Sequence, residues 1–206
     1  GEVMMFGAYF AFIFAYMMPF ELPFIAIIII SMTFAALMGM LIERIAYKKL
    51  RTAPRISALI TAIGMSLFLQ NLAQLIFGAT PKVMHPLVST EPVVVFGFDI
   101  SRLTIITIGL SIFFMIVLTL FVHKTKPGKA MRAVSQDKEA AILMGINTNK
   151  IISLTFAIGS ALGALGGVFY AMQYSNIGPT LGVMPGLKAF IAAVFGGIGN
   201  IGGAML

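Results

Sequence analysis

The chain has 206 residues, of which 59% are hydrophobic and only 10% charged, with a mean hydropathy of +1.01. A soluble domain carries roughly 25% charged residues, so the composition excludes one and points to an all-α, polytopic transmembrane helical bundle. The formal charge of +7 comes from 14 Lys and Arg against 7 Asp and Glu, and with no cysteine and only His85 and His123 there is no disulfide, thiol nucleophile or histidine metal cluster to expect.

In chain order, six apolar segments are expected to cross the bilayer: Val3 to Phe20, Leu22 to Ile42, Ile56 to Phe77, Leu103 to Val122, Ile151 to Met172 and Leu187 to Leu206. Their length suits membrane helices of roughly 20 residues rather than barrel strands of about 10. Glu21, Leu22 and Pro23 make a tight turn between the first two. The segment from Glu43 to Arg55 reads as a short basic loop. In the longer loop from Gly78 to Arg102, the run Val93 to Phe98 reads as a short strand. The absence of a basic stretch at the start argues against a signal peptide, and a first residue of Gly1 reads as a chain lacking its beginning.

The basic residues orient these spans. Residues 43–55 hold five Lys and Arg and residues 123–150 hold six, together eleven of the fourteen. Both segments are therefore placed on the cytoplasmic side, and the two spans between them make the assignments consistent. The positive charge is then a topology signal and a means of meeting anionic lipid headgroups in the bilayer, with no nucleic acid as partner.

Polar residues inside the spans are few enough to name. The third span carries Ser66, Gln70 and Gln74 at four-residue spacing on one helix face, with Asn71 beside them. Amides left unpaired in hydrocarbon cost several kcal/mol, so this face points into the bundle, either as interhelical hydrogen bonds or as lining of a translocation path. In the fifth span Thr155, Gly159, Gly163 and Gly167 recur every four residues and form a surface for close helix packing. All seven carboxylates fall in loops or at span ends, which disfavours an ion-coupled carrier with an intramembrane acid. A nucleotide-binding G-x-x-x-x-G-K-[ST] loop is also missing. Gly197, Gly199 and Gly202 match G-x-G-x-x-G, but without a βαβ setting or a downstream acid. They are better explained by close packing or an interrupted helix.

Residues 123–150 are the polar stretch around which the chain is organised. Within them Asp137 to Met144 form a short helical block: Asp137 can cap it, Glu139 lies at the positive end of its dipole, and Gly145 suits a left-handed stop. Ile142, Leu143, Met144 and Ile146 give this solvent-side element an apolar surface, as expected of a docking site for a soluble partner.

Glu139, Ala140, Ala141 and Gly145 resemble the first half of the Glu-Ala-Ala coupling loop of bacterial ABC importer permeases. The second half, Ile-x-Leu-Pro, is absent; Ile152 to Thr155 is the nearest match. More widely, GEVMMFGAY at 1–9, IERIAYKKLR at 42–51, ALITAIGMSLFLQNLA at 58–73, PGKAMRAVSQDKEAAILMGINTNKI at 127–151 and GLKAFIAAVFGGIGNIGGAML at 186–206 are similar to branched-chain amino acid ABC transporter permeases, the first-permease type. The resemblance implies one permease domain over residues 1–206, incomplete at both ends, in the bacterial inner membrane. It implies a non-enzymatic subunit without cofactor that imports leucine, isoleucine and valine. The implied partners are a second permease subunit, two ATP-binding subunits and a periplasmic or extracellular solute-binding protein. Similar permeases move urea, short amides or other amino acids. A carrier or channel working without an ATPase, or a non-transporting scaffold, are the rival classes.

Overall fold

The computed structural model describes residues 1–17, 22–50, 55–85, 87, 92–95, 98–197 and 203. Eight α-helices lie among them: α1 Glu2–Phe12, α2 Phe24–Ile42, α3 Arg55–Phe77, α4 Arg102–Lys124, α5 Lys126–Gln136, α6 Lys138–Leu143, α7 Thr148–Tyr174 and α8 Val183–Phe195. Helix α1 continues as a π-helical turn over Ile13–Met17, and α2 continues through π and 3₁₀ turns to Leu50. Four helical stretches, Phe24–Leu50, Ile56–Phe77, Arg102–Lys124 and Thr148–Tyr174, are long and apolar enough to cross a membrane; Glu2–Met17 and Val183–Phe195 are shorter apolar helices. The chain is a multi-pass helical membrane protein.

Several expectations are corrected by these elements. Residues 43–50 are helical rather than loop, and Glu43 is 1% exposed within that continuation. The strand expected over Val93 to Phe98 is an antiparallel pair, β2 Pro92–Val95 and β3 Phe98–Ser101, in which Val94 faces Asp99. The last apolar helix stops at Phe195 instead of running on, and Gly197 has a φ of 88°. The turn at Glu21 falls outside the described residues.

Two compact units divide the chain. The first comprises Gly1–Val88 with Phe156–Leu187, the second Ser89–Thr155 with Lys188–Leu206. Within the first, packing depends on small residues at helix contacts, as expected where lipid is as apolar as the side chains and only close approach favours association. A Cβ on Gly7 of α1 would collide with the backbone and methyl of Ala164, and one on Gly39 of α2 with the Ser160 side chain. Met5, Tyr9, Val168 and Met172 are fully buried around these contacts.

The ends of three helices are tied together in the same unit. A short ribbon pairs β1 (Lys82–Val83), just after α3, with β4 (Asn176–Ile177), just after α7. Met84 N–H donates to the Ser175 carbonyl at 3.3 Å. Tyr16 Oη, in the turn that extends α1, donates to the His85 carbonyl at 2.9 Å. Tyr9 stacks on Phe77 at 4.1 Å between ring centroids, and Lys82 Nζ lies 5.4 Å from the Phe12 ring centre.

In the second unit α4 turns sharply into α5. Pro127 lies in the first turn of α5, where a missing N–H costs nothing, and Thr125 Oγ1 accepts the Gly128 N–H at 3.1 Å. Gly128 itself packs so closely on the Phe121 and Val122 backbone that a Cβ would not fit. The Pro-Gly pair thus starts a helix that reads in sequence as a loop.

Candidate functional site

The polar block after α5 is closed at both ends by local chemistry. Asp137 Oδ1 accepts the N–H groups of Glu139 at 2.8 Å and Ala140 at 3.0 Å, satisfying two of the donors that a helix start leaves unpaired. At the other end Gly145 has a φ of 79°. Its N–H donates to the Ile142 carbonyl at 2.9 Å, and the Ile146 N–H to the Ala141 carbonyl at 3.0 Å. This pair of bonds around a left-handed glycine is the Schellman closure. Asn147 Oδ1 then accepts the Lys150 N–H at 3.1 Å, so α7 begins three residues after Gly145.

Ala141 is buried at the base of α6, while Glu139 and Ala140 are exposed. The apolar residues beyond them are open: Leu143 is 88% and Met144 82% exposed, with Ile142 beside them at 52%. A six-residue helix pinned at both ends, together with its C-cap Met144, therefore presents three exposed apolar side chains.

The polar set of the third span divides in two. Ser66 and Gln70 are partly buried, and Gln70 Nε2 lies 3.5 Å from Ser66 Oγ and 3.1 Å from Glu2 Oε1. Asn71 and Gln74 are exposed, and Asn71 Nδ2 donates to its own helix at the Leu67 carbonyl, 2.8 Å away. Glu2 is the functional candidate missed from the sequence. It opens the first apolar run and so reads as a span end, yet α1 starts beside the body of α3. Gln70 lies seven residues before Phe77, the last residue of α3, which is about 10 Å at 1.5 Å per residue. The visible signal was a carboxylate adjoining an apolar run, with an amide-bearing span to pair it.

The small-residue row of α7 is likewise split. Gly167 packs against the Met4 backbone, but Gly159 and Gly163 have nothing within 4 Å that a Cβ would meet. Thr155 is exposed and bonds the Ile151 carbonyl of its own helix. Besides Gly167, close approach runs through Ser160 and Ala164, one residue further round the helix than Gly159 and Gly163. Gly199 and Gly202 lie outside the described residues.

Over residues 1–206 the chain matches the family described as branched-chain amino acid transport system / permease component. It belongs to that permease family. Among its relatives is the high-affinity branched-chain amino acid transport system permease protein BraD of Pseudomonas aeruginosa, 41% identical across 100% of this chain and 70% of the relative. The corresponding protein LivH of Escherichia coli K12 is 39% identical over the same shares. A probable LivH of Methanocaldococcus jannaschii is 27% identical over 86% of this chain and 58% of its own length. No solved structure matches the chain.

Proposed function

We propose that this permease is the membrane-spanning subunit of an ATP-driven importer that carries branched-chain amino acids across the bacterial inner membrane. Residues 1–206 form one permease domain, and α6 is the element on which a separate ATP-hydrolysing subunit docks. The single observation that carries the docking assignment is the uncovered apolar end of α6, held by Asp137 and Gly145 between basic segments. Energy for transport then enters through a partner; a second permease subunit and a solute-binding protein complete the assembly.

The test is purification of the full-length permease from its native membrane in mild detergent, assayed for co-eluting ATPase and, after reconstitution, for ATP-dependent leucine uptake. A Leu143→Asp, Met144→Asp double variant leaves the fold intact, because both side chains are exposed. It is expected to weaken co-elution roughly 30-fold or more, the equivalent of losing about 2 kcal/mol from the centre of an interface. Co-elution unchanged in that variant would overturn the docking assignment.

A further inference from the structure

Helix α5 is basic on one side and apolar on the other. Lys126, Lys129 and Arg132 recur every three residues and, at about 100° per residue, fall within about 120° of helix surface. All three are exposed, as is Lys124 at the end of α4. Pro127, Ala130, Met131 and Val134 lie within about 100° on the opposite side and are half-buried. No Asp or Glu occurs from His123 to Gln136, and among the described residues none of the four cations is paired with a carboxylate. Asp137, the next acid along the chain, is engaged by the first N–H groups of α6. Like charges on neighbouring turns repel one another, so this face is at its most stable with an external anion against it.

The turn into α5 fixes where the face lies. Helix α4 is long and apolar enough to cross a membrane and ends at Lys124. Thr125 Oγ1 donates to the Phe121 carbonyl at 2.6 Å and accepts the Gly128 N–H at 3.1 Å, while Gly128 sits so close to Phe121 and Val122 that a Cβ would strike their backbone. The first turn of α5 is therefore pressed against the last apolar turn of α4, where Leu120 is still 52% exposed. It is level with the end of a membrane span, not carried out into water. A helix with an apolar side and a Lys/Arg side suits the plane of the membrane interface, and basic residues just beyond a span attract anionic headgroups. A protein partner fits this face less well, because the centres of protein interfaces are depleted of charge and the exposed apolar residues lie on and beside α6.

We propose that α5 is an interfacial helix whose Lys126, Lys129 and Arg132, with Lys124, bind the phosphate groups of anionic phospholipids in the cytoplasmic leaflet. This goes beyond the import reading and needs only that α4 ends at that leaflet.

The test uses the full-length permease in lipid bilayers. This chain contains no tryptophan, so Val134→Trp, with any tryptophan elsewhere in the protein replaced by phenylalanine, reports on the lipid beside α5. Quenching by phosphatidylglycerol brominated in its acyl chains, compared with brominated phosphatidylcholine at equal mole fraction, gives the relative affinity of the two lipids at that place. Phosphatidylglycerol is expected to be favoured about 10-fold or more. The preference is expected to fall to about twofold or less in a Lys126→Gln, Lys129→Gln, Arg132→Gln variant, and to shrink at ~1 M salt, where charges are screened within about 3 Å. Equal quenching by both lipids, or a preference that survives the triple substitution, overturns the proposal. So does quenching by neither, which would turn α5 away from the bilayer. Should Val134→Trp fail to insert, Met131→Trp reads the same side of the helix. A triple variant that loses ATPase co-elution with its lipid preference unchanged would assign the basic face to the protein partner instead. Because the measurement needs no ATPase, a permease that imports no leucine yet keeps the lipid preference loses the import reading and retains the lipid site.

Discussion

Replacing Gly7 with leucine is expected to dismantle the first unit of the fold, lowering the thermal midpoint of the detergent-solubilised permease by about 6–12 °C. A Cβ at position 7 would meet Ala164 at its Cα, Cβ and carbonyl oxygen, so the obstruction is backbone and methyl rather than the end of a flexible side chain. Overpacking costs about 1–3 kcal/mol where neighbours can shift, and for a domain of this size ~3 kcal/mol moves the midpoint by that amount. The informative comparison is Gly163→Ala on α7. Nothing lies within 4 Å of a Cβ there, and alanine favours helix over glycine by up to about 1 kcal/mol. Its midpoint is therefore expected to hold or rise. Thermal unfolding followed by size-exclusion chromatography checks both. A silent Gly7→Leu together with a damaging Gly163→Ala would mean that α7 packs through its other glycine row.

Substituting valine for Gly145 is expected to abolish most ATPase co-elution and ATP-dependent uptake while the protein still inserts. The space around Gly145 is open, so the penalty is conformational: at a φ of 79° a β-branched residue is strained. Leaving the left-handed region costs the bonds from Gly145 to Ile142 and from Ile146 to Ala141. The end of α6 unwinds, and Leu143 and Met144 lose their fixed direction. With about 1–2 kcal/mol of strain and two closing bonds at stake, a loss of at least about 10-fold in co-elution is expected. Gly145→Asn should be far milder, because asparagine tolerates the left-handed region. Equal behaviour of the valine and asparagine variants would show that the geometry of this stop does not matter for docking.

Features determined by near neighbours in the chain were legible beforehand. The six apolar helices follow from composition and run length, and the helix from Lys138 to Leu143 from Asp137, Glu139 and Gly145, all within reach of one another along the backbone. The helix from Lys126 to Gln136 was not read, because Pro127 and Gly128 break helices in general and start one only when Thr125 caps them and Gly128 seats on α4.

Contacts between distant segments were decided by the tertiary structure alone. Sequence spacing grouped Thr155, Gly159, Gly163 and Gly167 correctly on one helical row, but one residue is about 100° around a helix, and spacing cannot say which row meets a neighbour. The neighbours at Gly7 and Gly39 chose Ser160 and Ala164. Glu2 shows the same limit: its place at the edge of an apolar run is a property of the sequence, whereas its pairing with Gln70, 68 residues away, depends on how α1 crosses α3. Composition and local capping thus determined what kind of protein this is and the start and stop of α6, the element proposed as its docking surface. Only packing between remote helices decided which face closes the bundle and brought a carboxylate to Gln70 of α3, because those energies depend on surfaces that no local stretch contains.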